Sequence, residues 1–271
     1  MVYRTYKNKE LEKSIITAME LTNKDLIKYL PYIFQDLWEL GTSSEEIIEI
    51  IRKYKTDYSN LGVLDLGSGK GAISIKIASE LKCTCFGIDG LEDFVNFSNE
   101  KSKEYNVNNT CTFEKNDIRT RLDTLEKYDI ILLMAIGPVL GNYFDTLTKL
   151  LPHLNDDGLI IIDDAYIEND CSKQYPDILC EDEIIRQIDS TGMELIEKMT
   201  INDIHRTNEK YESDFKSIQN RCMELSEKFP KDKEMLLGYI ERQTREYDIL
   251  SNEIIPSIFV IMKNPKKGVI K

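Results

Sequence analysis

The chain has 271 residues, of which 41% are hydrophobic, enough for one large α/β domain or one domain with a smaller appendage, which argues against global disorder. Its formal net charge of −13 repels phosphate backbones, so non-specific binding to nucleic acid is not expected. The polar start Met1-Val2-Tyr3-Arg4 has no apolar signal segment behind it, and no apolar run approaches the ~20 residues of a spanning helix. A soluble, cytoplasmic chain with no membrane partner is therefore expected.

Up to about Tyr58 the sequence reads as helices. Asn23 is a candidate cap for a helix carrying Leu26, Ile27, Leu30, Ile33, Phe34 and Leu37 at helical spacing, with Pro31 kinking or dividing it and Gly41 ending it. Ser43 or Ser44 restarts a helix with Ile47, Ile48 and Ile51 on one face. From about Asn60 to Asp164, short apolar runs alternate with helical segments. Strands are predicted at 63–66, 83–88, 110–114, 129–134 and 159–162, and helices at 72–81, 91–105 and 143–154. A helix at 181–190 and a strand at 193–201 continue the pattern. A charged helical stretch at 203–250 carries Phe215, Ile218, Cys222 and Leu225 on one face, and Ile258 to Met262 closes as a strand. Strands alternating with helices imply a mostly parallel sheet covered on both faces.

The six cysteines, Cys83, Cys85, Cys111, Cys171, Cys180 and Cys222, form no C-x-x-C pair, and there are only two histidines, His153 and His205. Neither a zinc site nor a redox motif is indicated, and free thiols are expected.

The strongest local signal is Asp65-Leu66-Gly67-Ser68-Gly69-Lys70-Gly71, placed between a predicted strand and a predicted helix. Glycines there serve a tight turn at positive φ or a ligand that approaches the backbone. A dinucleotide fingerprint reads G-x-G-x-x-G; here Gly71 comes one residue early, and an acid stands two residues before Gly67. This resembles motif I of the class I S-adenosylmethionine-dependent methyltransferases. Phe86-Gly87-Ile88-Asp89-Gly90, Asn116-Asp117-Ile118, Tyr128 to Ala135 and His153 to Asp163 follow in the order of that family. The resemblance covers about residues 60–164.

The resemblance implies a Rossmann-like, seven-stranded, mostly parallel α/β sheet with helices on both faces and a helical lid. Residues 1–58 would form the N-terminal part of the lid, 59–202 with 252–271 the core, and 203–251 an insertion completing the lid. It implies S-adenosylmethionine as cofactor, touched by Asp65, Gly67, Ser68, Gly69, Gly71, Asp89, Gly90, Asn116, Asp117, Ile118 and Met134. In the family the acid at Asp89 accepts hydrogen bonds from the ribose hydroxyls, the 116–118 segment flanks adenine, and the end of the fourth strand faces the reacting methyl. Plainer alternatives stand beside these roles: Asp89 as a helix cap, Asp117 as a surface turn residue, and Asp65 as a partner of its own loop.

The end of the fourth strand, Met134-Ala135-Ile136-Gly137-Pro138, lacks the Asn/Asp-Pro-Pro-aromatic signature of methyltransferases acting on bases or glutamine. A small-molecule methyl acceptor is expected instead. Asp163 and Asp164, at the end of the fifth strand, are candidates for a general base or for an electrostatic partner of a cationic amine, with simple hydrogen bonding of one or both to loop amides as the plainer alternative. A metal site of the catechol O-methyltransferase kind needs an acid from the fourth strand, where Met134 and Ala135 stand, so no metal is assigned. His205 is a further candidate base, with a solvated surface role as the alternative. The competing functions are a non-catalytic S-adenosylmethionine or metabolite sensor and an NAD-dependent oxidoreductase. Monomer and homodimer are both open.

Overall fold

A computed structural model describes residues 9–168, 175, 178–200 and 208–264. The chain forms two compact units, one of residues 1–40 with 206–253 and one of residues 41–205 with 254–271.

The larger unit is built on a seven-stranded sheet. Its strands are β1 (Gly62–Leu66), β2 (Thr84–Asp89), β3 (Cys111–Lys115), β4 (Tyr128–Met134), β5 (Leu154–Tyr166), β6 (Met193–Thr200) and β7 (Ile255–Lys263), in the order β3-β2-β1-β4-β5-β7-β6. The five strands from β3 to β5 are parallel, and β7 runs antiparallel to both β5 and β6. The strand order reverses between β1 and β4, where an open α/β sheet offers a ligand crevice. In β1 and β4 almost every residue is buried, as expected of strands covered on both faces.

Side-chain alternation assigns the two faces. Leu64, Leu66, Ile131, Leu133, Ile160, Phe259 and Ile261 share one core with helices α7 (Tyr143–Leu150) and α8 (Glu181–Ser190), through Leu147, Leu150, Ile184 and Ile188. The opposite face carries helices α3 (Ser44–Tyr54), α4 (Ala72–Leu81) and α5 (Glu92–Glu104), with Ile47, Ile51, Ile75 and Phe94 buried. A short helix, α6 (Ile118–Arg121), follows β3. Helix α4 stops at Lys82, which takes a left-handed conformation with φ 57°.

The expected boundary near residue 58 falls instead at Leu40–Gly41, because α3 lies with the sheet. Arg52 pairs with Glu80 at 2.9 Å, Lys76 with Glu45 at 3.1 Å, and Tyr54 donates to Glu197 at 2.8 Å. Residues 155–158, between the helix and the strand expected there, lie within β5 as an irregularity: Tyr128 pairs with Leu154, yet Ile130 already pairs with Leu159.

The smaller unit is helical: α1 (Lys9–Ala18), α2 (Leu30–Ile33), α9 (Asn208–Lys228) and α10 (Lys233–Asn252). The helical stretch read from Asn23 to Leu37, with Pro31 kinking or dividing it, is divided. Asn23 does cap, accepting the Asp25 amide at 2.9 Å, but what it caps is a 3-10 segment, Lys24–Tyr29. Pro31 then stands in the first turn of α2, where its missing N–H costs nothing, so it begins a helix and does not kink one. The charged stretch divides at Phe229-Pro230 for the same reason. Ile218, Cys222 and Leu225 are buried as their spacing predicts. Polar contacts tie the unit together: Arg221 makes a two-pronged pair with Asp36 at 2.6 and 2.9 Å, and Tyr29 donates to Asp232 at 2.5 Å. No helix among the described residues is long and apolar enough to cross a membrane.

Candidate active site

The parallel strands end in one row. Across it Asp89 is level with Lys115, Leu66 with Ile88 and Leu133, and Met134 with Asp163. Gly67, Asp89, Met134 and Asp163 therefore emerge side by side at the carboxyl edge, on either side of the point where strand order reverses.

The glycine turn is held from below. The amides of Gly67 and Ser68 both donate to the Ile88 carbonyl, at 2.8 and 3.0 Å, and the Gly69 amide donates to Asp89 Oδ2 at 2.8 Å. All three glycines have positive φ: 76° at Gly67, 52° at Gly69 and 73° at Gly71. Two of them are also needed for close packing within the protein itself. A Cβ on Gly67 would lie 2.3 Å from Ile136 Cγ2, and one on Gly71 would lie 2.7 Å from the Phe113 ring and 2.8 Å from Ser98. Ser68 turns its hydroxyl inward, where Oγ is buried without a hydrogen-bond partner and faces Gly87 of β2. What the turn presents outward at Ser68 is backbone.

Asp65 is buried, and its Oδ2 accepts from Ser74 Oγ, on the first turn of α4, at 2.6 Å. Its partner is thus a helix hydroxyl, with no loop amide involved in that bond. Burial pushes the Asp65 carboxyl up to about 6, opposed by the Ser74 hydrogen bond. The folded state therefore favours the protonated form. The stability this contributes is present below pH ~4 and lost as pH rises through about 6, on the order of 2–3 kcal/mol. Asp65→Asn should flatten that fall. Urea unfolding at pH 4.5 and 7 reads it, and an unchanged difference between wild type and variant across that interval would exclude Asp65 as the source.

Asp89 accepts the Gly69 amide on one oxygen and the Leu91 amide on the other, both at 2.8 Å, so the helix-cap geometry and the link to the turn are present together. Each oxygen keeps a further lone pair for a ligand hydroxyl. Burial pushes this carboxyl up to about 6, against the pull of the amides of Leu91, Gly69 and Gly90. Gly90 sits between Asp89 and the start of α5. Asn116 is tethered by its own amide to the Asp89 carbonyl at 3.0 Å, and its side chain donates to Glu114 at 2.7 Å. Asp117 is buried, caps α6 through the Arg119 amide at 3.1 Å, and pairs with the Arg119 guanidinium at 2.9 and 2.8 Å. Its carboxylate is thus charge-compensated within the protein. Ile118 is buried in the core under this loop.

On the other side of the row, Asp163 is buried and accepts a hydrogen bond from the Thr42 hydroxyl. Asp164 accepts from Tyr143 Oη at 3.0 Å and from the Ala165 amide at 2.8 Å. Packed neighbours raise the Asp164 carboxyl above its usual range; the residue is exposed, so water moderates the push. Burial holds the Tyr143 phenol far above its ordinary value, which keeps it a donor at neutral pH. Met134 is buried at the end of β4, level with Asp163. His205 lies outside the described residues. Among those described, no group of three or more His, Cys, Asp or Glu is arranged to hold a metal ion.

A cavity of about 210 Å³ opens beyond β4 and β5. Leu133, Ile136, Pro138, Ile162 and Leu179 form its apolar wall, while Asn142, Tyr143, Thr146, Asp163 and Asp164 supply its polar groups. Ile136 both lines the cavity and packs on Gly67, so cavity and glycine turn share a wall. Thr42, Ile136 and Tyr143 were not read from the sequence. Thr42 lies 121 residues from its partner and Tyr143 lies 21 from its own, with no motif around either.

The chemistry of the row fits a sulfonium nucleoside. A cofactor with a positive sulfur and ribose hydroxyls meets carboxylate acceptors there at Asp89 and Asp163.

Comparison with known proteins gives the class. A family model described as "Methyltransferase domain" matches residues 57–228, and the chain belongs to that family. The structure resembles a SAM-dependent methyltransferase from Geobacter sulfurreducens in complex with S-adenosyl-L-homocysteine, with a TM-score of 0.73 at 15% identity over 88% of this chain and 98% of that one. It also resembles a SAM-dependent methyltransferase from Thiobacillus denitrificans in complex with the same molecule, at TM-score 0.71 and 15% identity, covering 86% and 97% of the two chains. Among curated proteins, a ubiquinone biosynthesis O-methyltransferase of Rickettsia akari is 28% identical over 122 residues, 44% of this chain and 46% of the relative. The chain thus matches about half the length of that relative. The resemblance seen in the sequence is borne out for family and fold. The class is that of the S-adenosylmethionine-dependent methyltransferases, whose methyl donor is S-adenosylmethionine.

Proposed function

We propose that the chain transfers a methyl group from S-adenosylmethionine to a small-molecule acceptor, releasing S-adenosylhomocysteine. The observation that carries this reading is the cavity that shares Ile136 with the glycine turn, next to the acidic row. S-adenosylmethionine supplies a methyl carbon already activated on sulfur, so the protein's work is to position the acceptor and, for some acceptors, to take a proton. Asp89 accepts from the ribose hydroxyls, supported by Gly90. Gly67, Ser68 and Gly69 offer backbone, while Gly71 and Asp65 hold the turn against α4. Asn116, Asp117 and Ile118 flank the adenine, and Met134 stands at the reacting end. The acceptor occupies the cavity beside Asp163 and Asp164.

Calorimetry with S-adenosylmethionine against NAD tests the donor; tight NAD binding without S-adenosylmethionine binding would overturn it. Release of S-adenosylhomocysteine over a panel of small acceptors, the O-methylation chemistry named for the Rickettsia akari relative included, tests the reaction. Donor binding with no release over the panel would favour a sensor. With an accepted substrate, Asp163→Asn and Asp164→Asn should each lower kcat/KM about 10²-fold. Unchanged turnover in steady-state kinetics would remove both from the reaction. A lid role for the helical unit, residues 1–40 with 206–253, is part of this proposal, the stretch 41–58 having gone to the sheet unit. S-adenosylhomocysteine should slow amide exchange in α9 and α10, and unaltered exchange there would count against a lid.

A further inference from the structure

We infer that the cavity beyond β4 and β5 selects an acceptor that carries an ammonium group on a small apolar body, with Asp164 as the ammonium's partner. This rests on the methyltransferase reading and names the substrate class of that same site.

Three observations lead to it. The cavity of about 210 Å³ has room for a small apolar body. One side of it is apolar, formed by Leu133, Ile136, Pro138, Ile162 and Leu179. Its lining also carries two carboxylates and, among the described residues, no Lys, Arg or His.

Asp164 decides the sign of the occupant. Its carboxylate is met by two neutral donors, the Tyr143 hydroxyl on Oδ2 and the Ala165 amide on Oδ1. Neither neutralises it. A carboxylate in this position differs from Asp117, whose charge the Arg119 guanidinium already answers. Each oxygen of Asp164 retains acceptor capacity after these bonds. An ammonium brought to it forms a charge-assisted hydrogen bond, stronger than one from a neutral donor. An anionic acceptor meets repulsion from the Asp164 carboxylate, and a neutral one forms only the weaker neutral hydrogen bond. Tyr143 fixes the direction in which the carboxylate faces. Its ring packs edge-on against Phe259 at 5.9 Å, and its buried phenol stays protonated, so Asp164 is held by a rigid donor.

The test uses three probes of one shape: 2-phenylethylamine, 2-phenylethanol and 3-phenylpropionate, titrated into the full chain at pH 7.5 and followed by NMR or calorimetry. The amine should bind at least about tenfold more tightly than the alcohol, and the carboxylate most weakly. Asp164→Asn should bring the amine-to-alcohol ratio to about one while leaving alcohol binding in place. Tyr143→Phe removes only the neutral donor and should keep the amine preference. Equal binding of amine and alcohol by the wild type, or no binding of any probe, overturns the inference. So does loss of the preference in Tyr143→Phe as complete as in Asp164→Asn, because the pair would then act only through structure. S-adenosylhomocysteine is titrated in the same samples. If it displaces the amine competitively, the cavity belongs to the donor and the inference fails. If it does not bind at all, the methyltransferase reading fails, whereas the amine preference stands or falls on its own ratio.

Discussion

Replacing Asp89 by Ala is expected to weaken S-adenosylmethionine binding about 100-fold, with Kd read by calorimetry. Three interactions end in this one carboxylate. The Gly69 amide reaches one oxygen and the Leu91 amide the other, both at 2.8 Å, and the proposed ribose hydroxyls take the remaining lone pairs. A hydrogen bond to a charged group contributes ~1.5–3 kcal/mol, which by itself is tenfold or more in affinity. The alanine variant also frees the Gly69 amide, so the turn loses its tie to β2. Asp89→Asn, which keeps one acceptor oxygen, should retain more affinity than the alanine variant. A Kd within threefold of wild type for Asp89→Ala would exclude the role. The pH dependence has a definite sign. The free carboxyl titrates at about 6, raised by burial, and donors from the ligand favour its ionised form. Affinity should therefore be full above about pH 6 and fall as pH drops through it, and the fall should be absent in Asp89→Ala.

Gly71→Ala is expected to be the most destabilising single substitution in the turn, by about 3 kcal/mol. Its φ of 73° is left-handed, which costs a non-glycine residue ~1–2 kcal/mol. The added methyl would stand 2.7 Å from Phe113 Cζ and 2.8 Å from both Cβ and Oγ of Ser98. These atoms belong to β3 and α5, so relief requires α4 to move away from its neighbours, a further ~1–3 kcal/mol. For a domain of this size the sum lowers Tm by roughly 6–12 °C. Thermal unfolding by circular dichroism measures it, and a Tm within 2 °C of wild type would refute the packing argument. Gly67→Ala meets a different neighbour, Ile136, and should therefore disturb the cavity wall as well as the turn.

Much of the sheet unit was legible because its signals are local. Ala72–Leu81 is the helix that its apolar spacing predicts, and 181–190 likewise. The runs in β1 and β4 are apolar on both faces because helices cover both faces. What spacing left open has equally physical sources. Pro31 sits where either a kink or a first turn satisfies its geometry, and only the fold selected the first turn. Helix α3 reads like the helices before it, since amphipathic spacing shows that a face is buried and says nothing of what buries it. The site divides in the same way. Asp65, Gly67, Asp89 and Asp163 stand at strand ends, so a strand prediction already brings them near one edge. Asp117 was placed, but its engagement with Arg119 depends on a side-chain direction that spacing does not encode. Thr42 and Tyr143 had no signal at all, because each meets its carboxylate through chain crossings elsewhere in the fold.

By itself the sequence determined the order of strands and helices along the chain, the glycine turn, and the acid that follows the second strand, and with these the methyl donor. These are contacts between a residue and its own backbone neighbourhood, repeated in one period or one turn. The tertiary structure alone decided that Ile136 closes on Gly67, that Asp164 faces Tyr143, and that a cavity is lined by Ile136, Tyr143 and Asp164 together. Acceptor choice depends on those meetings of distant segments, since desolvation and charge act through space and leave no periodic trace in a chain.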